Sequence, residues 1–310
     1  MRQRIRMAML LAAVLALGPA PAWAGSGCDG DGGLRQQARR PPQADPRPYQ
    51  PVNGTGGFSV FGANTVGAGT LSVGVGYLGE AAVCQQLEGV FDLNTVWLAL
   101  AYGITDRLQL GVDVPYTWYE ADKTGADGSG IDDLNLGLVF RLLDEAPGRP
   151  GVALVGFAAA PTGERSEGLG RNEWDLGAKL ALSKTLPGGL LGHVSAGYTY
   201  VGRGRVDQDD EFTSGVALEW PLGRYVSLVA EGLANTNRRD GALRKSDWVA
   251  ETRAGFRVRW AGFLLSLAGR KGLTNDAPDW GVFALLTYSA RVGPGAAAAA
   301  APTAAPPPGA

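Results

Sequence analysis

Leu108-Gln109-Leu110-Gly111-Val112-Asp113-Val114-Pro115-Tyr116-Thr117-Trp118 decides how the rest of the chain is read. Every second residue is apolar, and the residues between are Gln109, Gly111, Asp113, Pro115 and Thr117. In a strand, this period puts one set on each face. The same rhythm recurs in Leu134, Leu136, Leu138, Phe140 and Leu142 against Asp133, Asn135, Gly137 and Arg141. It recurs again in Trp174, Leu176, Ala178, Leu180 and Leu182 against Asp175, Gly177, Lys179 and Ser183, and in Val194, Ala196, Tyr198 and Tyr200 against His193, Ser195, Gly197 and Thr199.

Working outward from 108–118, the period predicts about twelve strands. They fall near 68–78, 92–103, 107–120, 132–143, 151–161, 173–185, 190–202, 210–221, 225–237, 247–259, 262–270 and 279–291. In 151–161, Ala and Val fall on both faces, so the alternation is weakest there. Most segments run about nine to fourteen residues, enough to cross a bilayer when tilted.

The connections alternate in length. Ile104-Thr105-Asp106, Leu186-Pro187-Gly188-Gly189, Leu222-Gly223-Arg224 and Ala261-Gly262 are short, and 144–150 is a little longer. Between them fall longer polar stretches at 79–91, 121–131, 162–172, 203–209, 238–246 and 271–278. Short periplasmic turns opposite long external loops are the bacterial outer-membrane pattern, and an even strand number leaves both ends periplasmic. Aromatic residues on the apolar face fall in two bands. Trp118, Trp174, Tyr200, Trp248 and Trp280 lie near the long loops; Tyr102, Trp220, Trp260 and Tyr288 lie near the short turns. Interfacial girdles are built this way. The expected fold is all-β, an antiparallel transmembrane β-barrel of about twelve strands, closed because an open edge in lipid would leave backbone groups unpaired.

Composition agrees with an envelope protein. The formal net charge is −2 and no basic cluster interleaves with aromatics, which argues against nucleic acid as a partner. Arg2, Arg4 and Arg6 precede an apolar run from Met7 to Leu17, and Ala22-Trp23-Ala24 offers a cleavage site. Residues 1–24 therefore read as a signal peptide. The rival is a lipoprotein acylated on Cys28, but the run before it has no Leu directly following the apolar stretch.

Residues 25–57 form a Pro/Gly-rich leader, 58–292 the barrel, and 293–310 an Ala/Pro tail that cannot build a core. Two placements are open for the leader: a loose periplasmic extension, the simpler expectation, or a plug folded into the lumen, as N-terminal segments do in some long-chain fatty-acid channels. Cys28 and Cys84 pair or stay as thiols, and a bond between them would require the leader to enter the barrel, since Cys84 is expected in the first external loop.

The polar face carries Asp113, Asp133, Asp175, Glu219, Glu231 and Glu251, balanced by Arg141, Lys179, Arg253, Arg257, Arg259 and Arg270. These are the candidate lumen-lining residues. They serve either as a charge network filling a narrow lumen or as a polar permeation path, and one does not exclude the other.

Several pieces together resemble the outer-membrane transporters named for the meta pathway of phenol degradation. They are Asn64-Thr65-Val66-Gly67-Ala68-Gly69-Thr70, Tyr102-Gly103-Ile104-Thr105-Asp106-Arg107-Leu108-Gln109-Leu110, Pro115-Tyr116, Gly130-Ile131-Asp132-Asp133-Leu134, Pro161-Thr162-Gly163, Ser183-Lys184 and Gly197-Tyr198. Their order, over about 63–292, carries the resemblance. It implies a passive channel for small molecules, with hydrophobic or aromatic compounds as the implied permeants. One departure is the tail after Val292, because barrels of this type usually end on a strand with a terminal aromatic.

Two other classes are alternatives. One is a closed barrel with a structural or interaction role through its loops. The other is a lipid-acting barrel enzyme, prompted by His193 and Ser195, which share a face. A serine nucleophile needs a base and an orienting third group. The pair faces the lumen near a short turn, and 210–221 supplies no Asn, so no catalytic residue is assigned. Asp29-Gly30-Asp31-Gly32 lacks the remaining ligands of a calcium loop. Arg238, Arg239, Arg244 and Lys245 fall in one external loop and are read as a solvated face, with contact to anionic lipid headgroups as the alternative. No metal or cofactor is expected. The expected partners are outer-membrane lipid, the outer-membrane assembly machinery and a small-molecule permeant.

Overall fold

Period-two alternation becomes a wall with two unlike faces. The computed structural model describes residues 56–85, 89–121, 127–164, 167, 169–170, 173–202, 210–236, 248–274 and 277–292, without the side chains at 82–85, 89–91 and 121. Residues 1–24, expected as a signal peptide, residues 25–55, the stretch with Arg238, Arg239, Arg244 and Lys245, and residues 293–310 lie outside the described residues. So do Cys28 and the side chain of Cys84.

The strands are β1 (Thr70–Gln85), β2 (Gly89–Gly103), β3 (Leu108–Ala121), β4 (Asp127–Ile131), β5 (Leu134–Leu143), β6 (Gly151–Ala160) and β7 (Asp175–Thr185). They continue as β8 (Leu191–Tyr200), β9 (Glu211–Pro221), β10 (Val226–Thr236), β11 (Trp248–Trp260), β12 (Phe263–Gly272) and β13 (Trp280–Arg291). Successive strands pair antiparallel, and β1 pairs with both β2 and β13, which closes the barrel. Strands β4 and β5 both lie against β3, β4 on Tyr116–Glu120 and β5 on Leu108–Asp113, so they are halves of one stave and the wall has twelve. Pro115 is the reason for the break. Its carbonyl accepts the Asp132 N–H at 3.0 Å, but it has no N–H to return, so the ladder lapses at Asp132 and Asp133.

Two expected boundaries shift. Residues 121–131, expected as loop, contain β4. The first long loop, expected at 79–91, is mostly strand, because β1 runs to Gln85 and β2 starts at Gly89. Cys84 therefore sits in β1 opposite Val90 and not in a loop. The difference has a physical cause: Glu80 and Ala81 interrupt the alternation where the β1–β2 register shifts between Glu80 and Val83.

Both ends of the wall lie at the short-turn rim, where Gly69 N–H donates to Gly103 O and Val292 N–H to Gly69 O, each at 2.8 Å. The tightest turn there, Ala261-Gly262, has φ of 47° and 85°, the left-handed pair that a two-residue hairpin requires.

The outward face is apolar and bare. Leu110, Val114, Leu138, Leu154, Leu180, Val194, Leu218 and Leu286 are exposed in mid-wall. Trp174, Tyr200, Trp248 and Trp280 ring the long-loop end and Tyr102, Trp220, Trp260 and Tyr288 the short-turn end, all exposed, with Trp118 partly covered beside Tyr77. An apolar belt between two aromatic rings, on a wall with no open edge, is a surface made for lipid.

Candidate functional site

The inward face is where the chain carries its chemistry. Asp113, Asp133, Asp175, Lys179, Glu219, Glu231, Glu251, Arg253, Arg257 and Arg270 are all buried there, each on the alternating set opposite the lipid face. They do not form one group. Asp133 and Asp175 sit at the long-loop rim and hold backbone: Gly163 N–H donates to Asp133 Oδ1 and Gly202 N–H to Asp175 Oδ1, each at 2.9 Å. Neighbouring Asp132 accepts the Gly170 N–H at 3.1 Å. Arg141 sits at the opposite rim, half-exposed, paired with Asp144 at 3.1 Å and donating to Asp106 O at 2.6 Å. It joins two short turns.

The central charges form two linked sets on β9 to β12 and β1. Glu219 accepts Arg257 Nη1 at 2.6 Å on one oxygen and Arg259 Nη2 at 2.8 Å on the other. Along the wall, Arg253 and Arg270 are register neighbours, two like charges side by side. Glu251 resolves the conflict by pairing with both, at 2.7 Å to Arg253. Arg270 also reaches Glu80, crossing Gly281, where a Cβ would lie 2.8 Å from the Arg270 side chain. Buried charges persist only when partnered, and this arrangement partners each of them.

The rest of the lumen wall mixes polar side chains such as Gln109, Asp113, Lys179 and Thr287 with two apolar patches that carry small residues. Ala99, Ala101 and Ala268 stand around Trp97, Phe283 and Leu285 on one side; Ala153 and Ala181 stand around Val139 and Val155 on the other. Trp97 lies over Gly76, where a Cβ would come within 2.1 Å of its ring. The period alone could not reveal this half, because Ala, Gly and Thr on a polar face look like filler.

What fills the space is the segment before β1. Residues 56–63 lie inside the barrel, with Phe58, Val60, Phe61 and Ala63 almost wholly buried. Phe58 joins the Trp97–Phe283 cluster and Phe61 the Val139–Val155 cluster. The backbone is held at both polarities. Glu231 accepts the N–H groups of Ser59 at 3.0 Å and Val60 at 3.3 Å, while Arg257 donates to the carbonyls of Gly56, at 2.8 Å, and Gly57. Arg253 donates to Ser59 Oγ. Further along, Ala63 N–H donates to Ser183 Oγ at 2.8 Å and Val66 N–H to Gln109 Oε1 at 2.9 Å. The chain then leaves the lumen over Gly103, where a Cβ would sit 1.9 Å from Gly67 O. Phe58, Phe61, Trp97 and Phe283 are thus the site residues that sequence reasoning did not single out.

His193 and Ser195 are both buried on the lumen face, but Nδ1 of His193 bonds Ser183 Oγ at 2.8 Å, the same hydroxyl that receives Ala63 N–H. The histidine supports the luminal segment through Ser183.

A family model described as "Putative MetA-pathway of phenol degradation" matches residues 50–291. No curated protein matches the chain. Among solved structures, an outer membrane channel from Pseudomonas putida F1 is similar, with a TM-score of 0.58 at 20% identity, over 73% of this chain and 97% of that one. The translocator domain of the autotransporter NalP from Neisseria meningitidis overlaps at a TM-score of 0.47 and 12% identity, over 73% and 89%. The Pseudomonas putida toluene transporter TodX overlaps at 0.40 and 10% identity, over 79% and 98%.

Proposed function

The chain belongs to the family described as "Putative MetA-pathway of phenol degradation" and lies in the outer membrane, and from that premise we propose that it is a small-molecule channel held closed by residues 56–63. One observation carries the reading. Residues 56–63 take up the space inside the wall, Phe58 among Ala99, Ala101, Trp97 and Phe283 and Phe61 among Ala153, Ala181, Val139 and Val155, so part of the lumen is filled by a strip of chain that belongs to none of the strands. A barrel built only as a scaffold would fill its interior from the strands, with no segment to remove.

The finer reading concerns the permeant. The space under the segment is lined by Trp97, Phe283 and Leu285 on one side and by the Glu219–Arg257 ion pair on the other. An apolar stripe beside a charged ladder suits compounds with an aromatic or other hydrophobic body, the kind of permeant that a purely polar pore would hold poorly.

Single-channel recording in planar bilayers tests this, comparing the full chain with a variant in which residues 56–63 are replaced by Gly and Ser. The expected result is rare or small steps in the full chain and stable, larger steps in the variant. Equal silence from both, with heat-modifiable gel mobility showing each barrel folded, would leave a closed structural barrel as the better account.

A further inference from the structure

We propose that the lumen contains a subsite for an aromatic carboxylate and that residues 56–58 occupy it as a stand-in; this rests on the channel reading above. Gly56 and Gly57 turn two consecutive carbonyl oxygens to one guanidinium. Nη1 of Arg257 donates to Gly56 O at 2.8 Å and Nη2 donates to Gly57 O. Two oxygens on the two terminal nitrogens of a planar fork is the pattern by which arginine takes a carboxylate. The next residue supplies the ring. Phe58 stands with its centroid 5.4 Å from Arg257 Cζ and 5.5 Å from the Phe283 ring, which is itself 5.9 Å from Trp97. An oxygen pair and a phenyl ring, a few bonds apart, therefore fill one compact place on the wall.

The fork of Arg257 would hold a carboxylate more strongly than the backbone carbonyls now present. Glu219 pairs with both Arg257 and Arg259 and so fixes the fork in place on the wall. The carbonyls of Gly56 and Gly57 bring only dipoles to that guanidinium, whereas a carboxylate would bring a full charge into a low-dielectric place where it counts for more. Glu231, which faces the same segment, keeps Arg253 at 3.6 Å when the segment leaves. An aromatic carboxylate thus competes with residues 56–58 for both halves of their contact, and its binding and the opening of the lumen are one exchange.

Calorimetric titration of the full chain in detergent micelles tests this, with phenylacetate as probe, toluene as the ring without the carboxylate, and acetate as the carboxylate without the ring. Phe58→Ala removes the competing ring without touching the wall, and it is expected to bind phenylacetate about tenfold more tightly than the unaltered chain does. In that background, phenylacetate is expected to outbind toluene and acetate by about tenfold or more, and Arg257→Lys is expected to abolish that margin while leaving toluene unchanged. Binding of phenylacetate no tighter after Phe58→Ala, or no tighter than toluene, overturns the proposal. If Arg257→Lys fails to fold by gel mobility, the three-probe comparison on Phe58→Ala decides alone. A barrel that conducts after replacement of 56–63 yet shows no preference for phenylacetate keeps the channel reading and loses the subsite.

Discussion

At the scale of single residues, the lumen segment hangs on a few charged side chains. Glu231 is buried and accepts two consecutive backbone N–H groups, from Ser59 and Val60. Glu231→Ala leaves both donors buried without that acceptor, at about 1–3 kcal/mol each. The expected outcome is a shift of the closed-to-open ratio by about tenfold or more toward open, read as open probability in planar bilayers. Outside the membrane-spanning strands, Glu145 plays a similar part in a short turn. Its carboxylate accepts the Thr185 N–H at 2.8 Å and pairs with Lys184 at 3.2 Å. Partial burial works to raise its pKa, but the hydrogen bonds from Thr185 and Lys184 outweigh this and hold it below the ordinary carboxylate value. A depressed folded pKa means that the stabilisation is present above the unfolded pKa of about 4.3 and fades as pH falls through the folded value. Urea unfolding midpoints should therefore decline between about pH 5 and pH 3 by less in Glu145→Gln than in the unaltered chain.

At the scale of elements, the strands are shaped by what must pass across them. Glycines on the inner face stand where another group lies flat on the wall, as Gly76 does under Trp97 and Gly281 under Arg270. A Leu at position 76 would drive its Cβ into the indole, which is itself packed on Phe283. Gly76→Leu is expected to destabilise the barrel by about 1–3 kcal/mol or more through overpacking, read as a lowered urea midpoint in liposomes. The stave formed by β4 and β5 shows the opposite case, an element divided by one missing donor. Pro115 interrupts its ladder, and the freed Asp132 and Asp133 carboxylates then hold the loop backbone at Gly163 and Gly170.

At the scale of the whole molecule, the barrel is turned inside out relative to a soluble domain. Its charges are buried and its aliphatic residues face outward, which is stable only in lipid. Val216, in the middle of β9, is 56% exposed on that outer face. Val216→Arg is expected to cost about 2–4 kcal/mol when measured by reversible urea unfolding in liposomes, because a charge near the bilayer midplane cannot be hydrated. The same substitution at a rim position such as Leu222 should cost about 1 kcal/mol or less.

The strand pattern, the lipid face and both aromatic rings were legible in the chain, since all of them depend on a period of two that local sterics impose whatever the strand is paired with. Trp174 and Trp220 could be assigned to opposite rims from spacing alone. The inward charges were legible too, for the same reason, but not their division into rim residues such as Asp133 and Arg141 and a central network around Glu219, Glu251 and Arg270. That division depends on register between strands, and register follows from pairings distant in sequence. Nor could spacing reveal that Phe58 meets Phe283 or that Gly57 meets Arg257, because a segment without periodicity carries no signal of where it docks. Its place is set by the small inner-wall residues opposite it, and those residues leave a fillable space only once twelve staves have closed around them.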